Sequence, residues 1–153
     1  MELIWQEFID GWPDASQFAR ITTRLVFAAL MGAVVGIQRE RVGKPAGLRT
    51  HMLVALGAAL FVVAGRESGM SGEDMSRILQ GICAGIGFIG AGAILKNERA
   101  EEVTGLTTAA GIWMTAAVGV TAGLGLWGSG LLSVLLTWII LALLGQIESR
   151  CRK

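Results

Sequence analysis

Five apolar stretches, roughly residues 21–38, 50–65, 78–95, 104–124 and 126–146, divide the chain, and the charges gather between them. A helix rises about 1.5 Å per residue, so crossing about 30 Å of hydrocarbon takes about 20 apolar residues, somewhat fewer when the ends snorkel. The pattern therefore predicts an all-α integral membrane protein with five transmembrane helices. The second stretch is the shortest, and its ends are expected to thin the bilayer or shelter against neighbours. Only Gly123-Leu124-Gly125 separates the last two, which predicts a tight antiparallel hairpin. The last stretch is bulky all round (Leu131, Leu132, Leu135, Leu136, Trp138, Ile139, Ile140), so it is expected at the periphery, facing lipid.

Residues 1–19 follow a different rule. Ile4, Trp5, Phe8, Ile9 and Trp12 share one helical face, while Glu2, Gln6, Glu7 and Asp10 share the other. That division predicts a short amphipathic helix in the membrane interface, with its tryptophans at headgroup level. A partly buried N-terminal helix is the alternative. Trp12-Pro13-Asp14 marks the turn into the first span. The segment has neither a basic start nor an apolar run, so it does not resemble a cleaved signal peptide. Residues 1–153 read as a single membrane domain.

Composition agrees with the pattern. Of 153 residues, 53% are hydrophobic and 16% charged, against about 25% charged in soluble domains. The 22 glycines are accompanied by only 2 prolines, which fits close helix packing in lipid better than a flexible linker. Cys83 lies within a span and Cys151 in a basic tail, so no disulfide is expected and Cys83 reads as a small packing residue.

Charge sets an expected orientation. Arg39, Arg41, Lys44, Arg49, Lys96, Arg99, Arg150, Arg152 and Lys153 fall on one side, against Arg20, Arg24, Arg66 and Arg77 on the other. The positive-inside rule places the first group in the cytoplasm, with the N-terminus outside and the C-terminus inside. The expected location is the bacterial inner membrane, with the lipid bilayer as the main partner and no nucleic acid.

The third span, RILQGICAGIGFIGAGAILK, is the most unusual. Gly81, Gly85 and Gly92 fall on one face and Ala84, Gly87 and Ala91 on a second, with Gly90 in the same glycine run. Ile82, Ile86 and Ile89 fall on a third face, expected to meet lipid. Two small faces predict a central helix approached closely from two sides, with one of them free to pack a second copy in a homodimer. Backbone lining a polar path is the functional reading of the same glycines. Thr104, Thr107 and Thr108 cluster at the start of the fourth span, either bonded to their own helix or facing a hydrated cavity.

Ionisable residues near the hydrocarbon carry the candidate chemistry. Only 14 residues separate Arg24 from Arg39, too few to span the hydrocarbon, so at least one dips below the interface and needs a partner. Glu40, adjacent to Arg39 and turned about 100° from it, is a poor one, and a group on another helix is expected. On the outer side Asp74 and Arg77 are expected to pair at i, i+3 at the start of the third helix. No Asp or Glu lies inside any span, which disfavours a buried carboxylate relay. Glu40 inside and Glu73 or Asp74 outside are weak candidates for a magnesium ion, which keeps much of its own water. No cofactor is otherwise implied, and nothing resembles a nucleotide loop or a catalytic triad, so the protein is not expected to be an enzyme.

Taken together, GIQRERVGKPAGLRTHMLVALGAALF, DMSRILQGICAGIGFIGAGAIL and GLTTAAGIWMTAAVGVTAGLG resemble the MgtC/SapB family of bacterial inner-membrane proteins, in order and spacing, from about residue 30 to 125. Its Gly-x-x-Arg-Glu falls on Gly36, Arg39 and Glu40, its Ala-Gly-Leu-Arg-Thr on 46–50, and its Asp-x-x-Arg on Asp74 and Arg77. The glycine run falls on 85–92 and Gly-Leu-x-Thr-Ala-Ala on 105–110. The resemblance implies a five-helix membrane domain tied to growth in low magnesium and, in pathogens, to survival inside macrophages. It also implies that the soluble cytoplasmic domain of longer members is absent. Two activities are consistent with it. One is movement of magnesium or another ion between an inner cluster of Arg39, Glu40 and Arg49, with Thr107 and Thr108 beside it, and an outer one of Asp74 and Arg77. The other is a non-transporting regulator that binds membrane partners such as the rotary ATP synthase.

Overall fold

The computed structural model describes residues 1–97 and 102–144, apart from the side chains of 7–10, 95–102 and 144. The expected cytoplasmic cations Arg99, Arg150, Arg152 and Lys153, the side chain of Lys96, and Cys151 lie outside that description. The described chain is nearly all helix. A first short helix, α1 (Glu2–Asp10), leaves Leu3, Ile4, Trp5 and the following Trp12 uncovered by the rest of the protein, as an interfacial helix requires.

Four helices are long and apolar enough to cross a membrane: α2 (Ala15–Arg41), α3 (Leu48–Glu67), α4 (Gly72–Gly92) and α5 (Leu106–Leu124). A fifth, α6 (Trp127–Ile139), runs on as one π turn over Ile140–Leu144. Its apolar run, Trp127–Leu143, is about 25 Å long at about 1.5 Å per residue, the short limit for a span. The second span needs correction. At 20 residues α3 reaches about 30 Å because Leu48, Arg49, Arg66 and Glu67 join the helix, and Arg66 shelters against the end of α5 by bonding the Leu124 carbonyl.

Local signals explain where these helices begin and stop. Asp14 caps α2, its Oδ1 accepting from the Gln17 amide and the Ser16 hydroxyl, each at 2.7 Å. Ser71 caps α4 by accepting from the Asp74 amide at 3.2 Å. Gly125 closes α5 with φ +78°, a left-handed conformation that favours glycine, and turns the chain into α6. Between α4 and α5 lies a two-stranded antiparallel ribbon, β1 (Leu95–Asn97) and β2 (Glu102–Thr104), in which Lys96 pairs with Val103. The apolar-span pattern gave no sign of it.

The centre of the bundle is where α2, α3 and α5 meet. A Cβ on Gly32 would lie 2.5 Å from the His51 carbonyl oxygen, and one on Gly119 2.3 Å from that of Ala55. Both glycines therefore let backbones touch at distances no other residue permits. Around them pack Ala28, Ala55, Ala59 and Ala122, and on the α6 side Val35, Val118 and Val134.

The glycine-rich α4 is not the central helix. Its buried residues are Ile86 and Gly90, and a Cβ on Gly81, Gly85, Gly87 or Gly92 would meet nothing within 4 Å. Its isoleucine face is divided rather than turned to lipid. Ile86 inserts among Ala46, Ala58, Ile112 and Ala116, with Ile82 packed beside it, while Ile89 stays half exposed. A bulky side chain entering a wall of alanines buries more apolar surface than a flat glycine face could, which sets the rotation of α4. Cys83 is accordingly exposed rather than a packing residue.

Candidate functional site

Apart from Thr137 on α6, the buried polar side chains among the described residues sit along the α2–α3–α5 core. Arg39, in the last turn of α2, is only 3% exposed, and its Nη2 donates to the Thr108 hydroxyl at 3.1 Å. It thus reaches a partner on another helix, but the partner is neutral. Among the described residues no carboxylate pairs with this guanidinium, and its Nε–H has no acceptor.

About two turns further into α5 lies a second buried pair. His51 is fully buried, and its Nδ1 lies 2.7 Å from Thr115 Oγ1. The Thr115 hydroxyl donates its one proton to the Gly111 carbonyl at 2.8 Å, so its oxygen can only accept from the ring. With the Thr115 proton on that carbonyl, Nδ1 carries the ring proton, and the buried Nε2 makes no hydrogen bond of normal geometry. Gly111 lines the ring, and a Cβ there would make ordinary contact with His51 Cε1 at 3.7 Å. On the α6 side Gln38 donates to the Leu141 carbonyl at 3.1 Å, within the π turn that frees such groups, while its own Oε1 is unpaired.

The predicted inner cluster is only partly assembled. Arg39 and Thr108 meet, whereas the Glu40 carboxylate turns to the N-terminus of α3 and accepts from the Leu48 amide at 2.7 Å. Arg49 and Thr107 are exposed. At the opposite end the expected Asp74–Arg77 pair is replaced by another. Arg77 bonds Glu73 at 3.3 Å, one full turn away, and both are largely exposed. Asp74 is instead held by the Ser71 hydroxyl at 2.7 Å, completing the cap of α4. Asp74, three residues after the cap, reaches back to Ser71, and Arg77 pairs with Glu73 instead. The whole length of α3 separates Glu40 from Asp74, so the two cannot share one ion, and the described residues bring no three Asp, Glu, His or Cys together.

Two further arginines stand at that end, among the acids Asp14, Glu67, Glu73 and Asp74. Arg66 Nη1 donates to the Leu124 carbonyl at 3.3 Å, and the Arg24 guanidinium lies beside Gly125, so both face the C-terminal end of α5. Sequence reading singled out Arg39 and Thr108 but passed over His51 and Thr115. A lone histidine within an apolar run was the available signal, and its partner lies 64 positions away.

The chain matches the model of the MgtC family over residues 25–150. It is 46% identical to Protein SrpB of Synechococcus elongatus over 133 residues, 80% of this chain and 73% of that protein. It is 39% identical to the Escherichia coli K12 protein named "Putative magnesium transporter YhiD", over 86% of this chain and 64% of that one. Protein MgtC of Salmonella typhimurium is 38% identical over 82% of this chain, which spans about half of that relative's length (53%). No solved structure matches the chain.

Proposed function

Since the chain belongs to the MgtC family, we propose that it serves magnesium homeostasis as a regulator of other membrane proteins and does not itself conduct the ion. The link to magnesium comes from the family and from the names of the relatives YhiD and MgtC. The choice between the two mechanisms rests on one observation: the ionised group buried at the heart of the bundle is the Arg39 guanidinium, without a carboxylate partner among the described residues. Two unit charges at 4 Å repel by about 4 kcal/mol at an effective dielectric of about 20, and a divalent cation doubles that. A path along α5 would thus meet a buried cation at its inner end.

The experiment is magnesium flux into liposomes that hold the purified protein and a magnesium dye. We expect no flux under either sign of membrane potential. Uptake by the parent that is lost in Asp74→Ala and Glu40→Ala, with folding intact, would establish transport instead. Co-reconstitution with the rotary ATP synthase tests one partner of the regulator: slower ATP-driven proton pumping is expected.

The setting proposed for this role is the bacterial inner membrane, N-terminus outside and C-terminus cytoplasmic, which a periplasmically active reporter fused at residue 153 would contradict. The proposed assembly is a two-fold dimer. The groove of about 670 Å³ between α3 and α4, lined by Leu53, Gly57, Phe61, Gly81, Gly85 and Ile89, is where a second copy would seat its own α4. Gly85→Leu should halve the detergent-corrected mass and leave the monomer's stability intact. Retention of the parent mass would remove this interface.

A further inference from the structure

The two ends of α5 are furnished differently. At the C-terminal end Arg66 donates to a terminal carbonyl and Arg24 lies alongside, the arrangement that complements a helix dipole. At the N-terminal end the neighbour is again a cation. Arg39 is bonded to Thr108, the third residue of the helix, where the dipole presents its positive pole. The same end lacks the usual remedies. Its cap is Gly105, which has no side chain to accept from the helix, and its first turn carries no acidic residue. The amides of Leu106, Thr107 and Thr108 precede the first intrahelical bond, made by Ala109 to the Gly105 carbonyl at 2.9 Å.

Among the described residues no carboxylate completes this set of a buried cation and first-turn amides. The nearest carboxylate in sequence, Glu40, is occupied by the Leu48 amide. The donors present are the unpaired Nε–H of Arg39, itself 97% buried, and the first-turn amides, with the Thr108 hydroxyl holding the guanidinium beside them. On the same side of the bundle Arg41, Lys44 and Arg49 add exposed positive charge. A guanidinium fork and helix-terminal amides match the several oxygens of a phosphate group better than a monatomic ion.

We infer that Arg39 and the first turn of α5 form a binding site for a phosphate-class oxyanion, supplied either as free inorganic phosphate or as the headgroup of an anionic lipid. The inference goes beyond the regulatory reading and does not rest on it, because binding is measured without any ion gradient.

The test has two arms. In the first, inorganic phosphate is titrated by calorimetry into the whole protein in a zwitterionic detergent, at constant ionic strength set with chloride. In the second, phosphate-free protein is placed in nanodiscs of phosphatidylcholine with or without phosphatidylglycerol, and retained lipid is read by native mass spectrometry. Saturable binding in the first arm identifies free phosphate, and retention of phosphatidylglycerol in the second identifies the lipid. Whichever arm binds, Thr108→Val and Arg39→Met should weaken it about tenfold or more, while Thr108→Ser stays near the parent. If Arg39→Met fails to fold, Thr108→Val, nearly isosteric, decides the matter alone. No saturable binding by the folded parent in either arm, or binding unchanged in Thr108→Val, overturns the assignment.

Discussion

Arg39 and Arg66 hold opposite ends of the same helix: Arg39 bonds Thr108 in the first turn of α5, and Arg66 bonds the Leu124 carbonyl in its last. The helix dipole favours a cation at the second position and opposes one at the first. Arg39 gains from its own helix, since it lies in the last turn of α2, but that benefit is typically only about 0.3–1 kcal/mol at a helix end. It does not offset burial of a charge without a counter-charge. The residue at the inner end is therefore kept at a cost to the fold, as residues retained for binding commonly are.

Close approach, rather than glycine content, decides which glycines the fold needs. Gly119→Ala would push a Cβ to 2.3 Å from the Ala55 carbonyl oxygen, a backbone atom that cannot swing aside. We expect it to destabilise the solubilised protein by about 1–3 kcal/mol, the usual range for overpacking. Gly87→Ala meets open space and should be neutral or slightly stabilising, by up to about 1 kcal/mol, because alanine favours helix. Chemical unfolding of the two variants side by side checks this. A larger loss for Gly87→Ala would contradict the packing described.

The His51–Thr115 pair makes a second prediction. Thr115→Val removes the acceptor for His51 Nδ1–H in a site with no solvent exposure to replace it. Leaving one buried donor unpaired costs about 1–3 kcal/mol. Thr115→Ser keeps the hydroxyl and should recover most of the loss. If valine and serine behave alike in unfolding, the hydrogen bond contributes nothing to stability.

At the start of α2 the prediction concerns pH. The Gln17 amide, then the Ser16 hydroxyl, hold the Asp14 carboxyl below its ordinary value of 3.8. A carboxyl lowered in the folded state stabilises it fully above that ordinary value, and the benefit is lost as pH falls through the lowered one. Hydrogen exchange in the first turn of α2 should therefore accelerate on acidification below about pH 4. In Asp14→Asn, which caps without titrating, the exchange should show no such step.

The five spans were legible because an apolar run of this length admits one structure in lipid, and Gly125 marked its hairpin correctly. The order of the helices across the bundle was not. Gly81, Gly85 and Gly87 permit close approach but do not compel it, whereas Ile86 finds a matching wall of alanines contributed by α3 and α5. The candidate site was half legible for a related reason. Too few residues separate Arg24 from Arg39 to keep both in the interface, so the sequence itself shows a charge in need of a partner. That the partner is Thr108, 69 positions on, depends on how α2 and α5 lie together, which periodicity within one helix does not encode. Asp74 and Arg77 failed for a local reason, since capping and ion pairing competed for one carboxylate and the cap prevailed.

Arg39 itself carries the last prediction. A buried ion left without its partner is destabilising, and apolar replacements of buried charge are often neutral or stabilising by about 1–4 kcal/mol. Arg39→Met keeps the length and flexibility of the side chain and removes the charge. Thr108, released, can turn its hydroxyl to a carbonyl of its own helix, as Thr115 and Thr137 already do at 2.8 and 2.7 Å. In a phosphate-free neutral detergent the variant should therefore unfold at the same temperature as the parent or a higher one. Addition of phosphate or of phosphatidylglycerol should then raise the parent's unfolding temperature and leave the variant's unchanged, because a ligand stabilises only the state that binds it. A variant that unfolds several degrees below the parent without phosphate would make Arg39 a structural residue, held by its Thr108 bond and the dipole of α2. The two outcomes differ in sign, so one pair of thermal scans separates them.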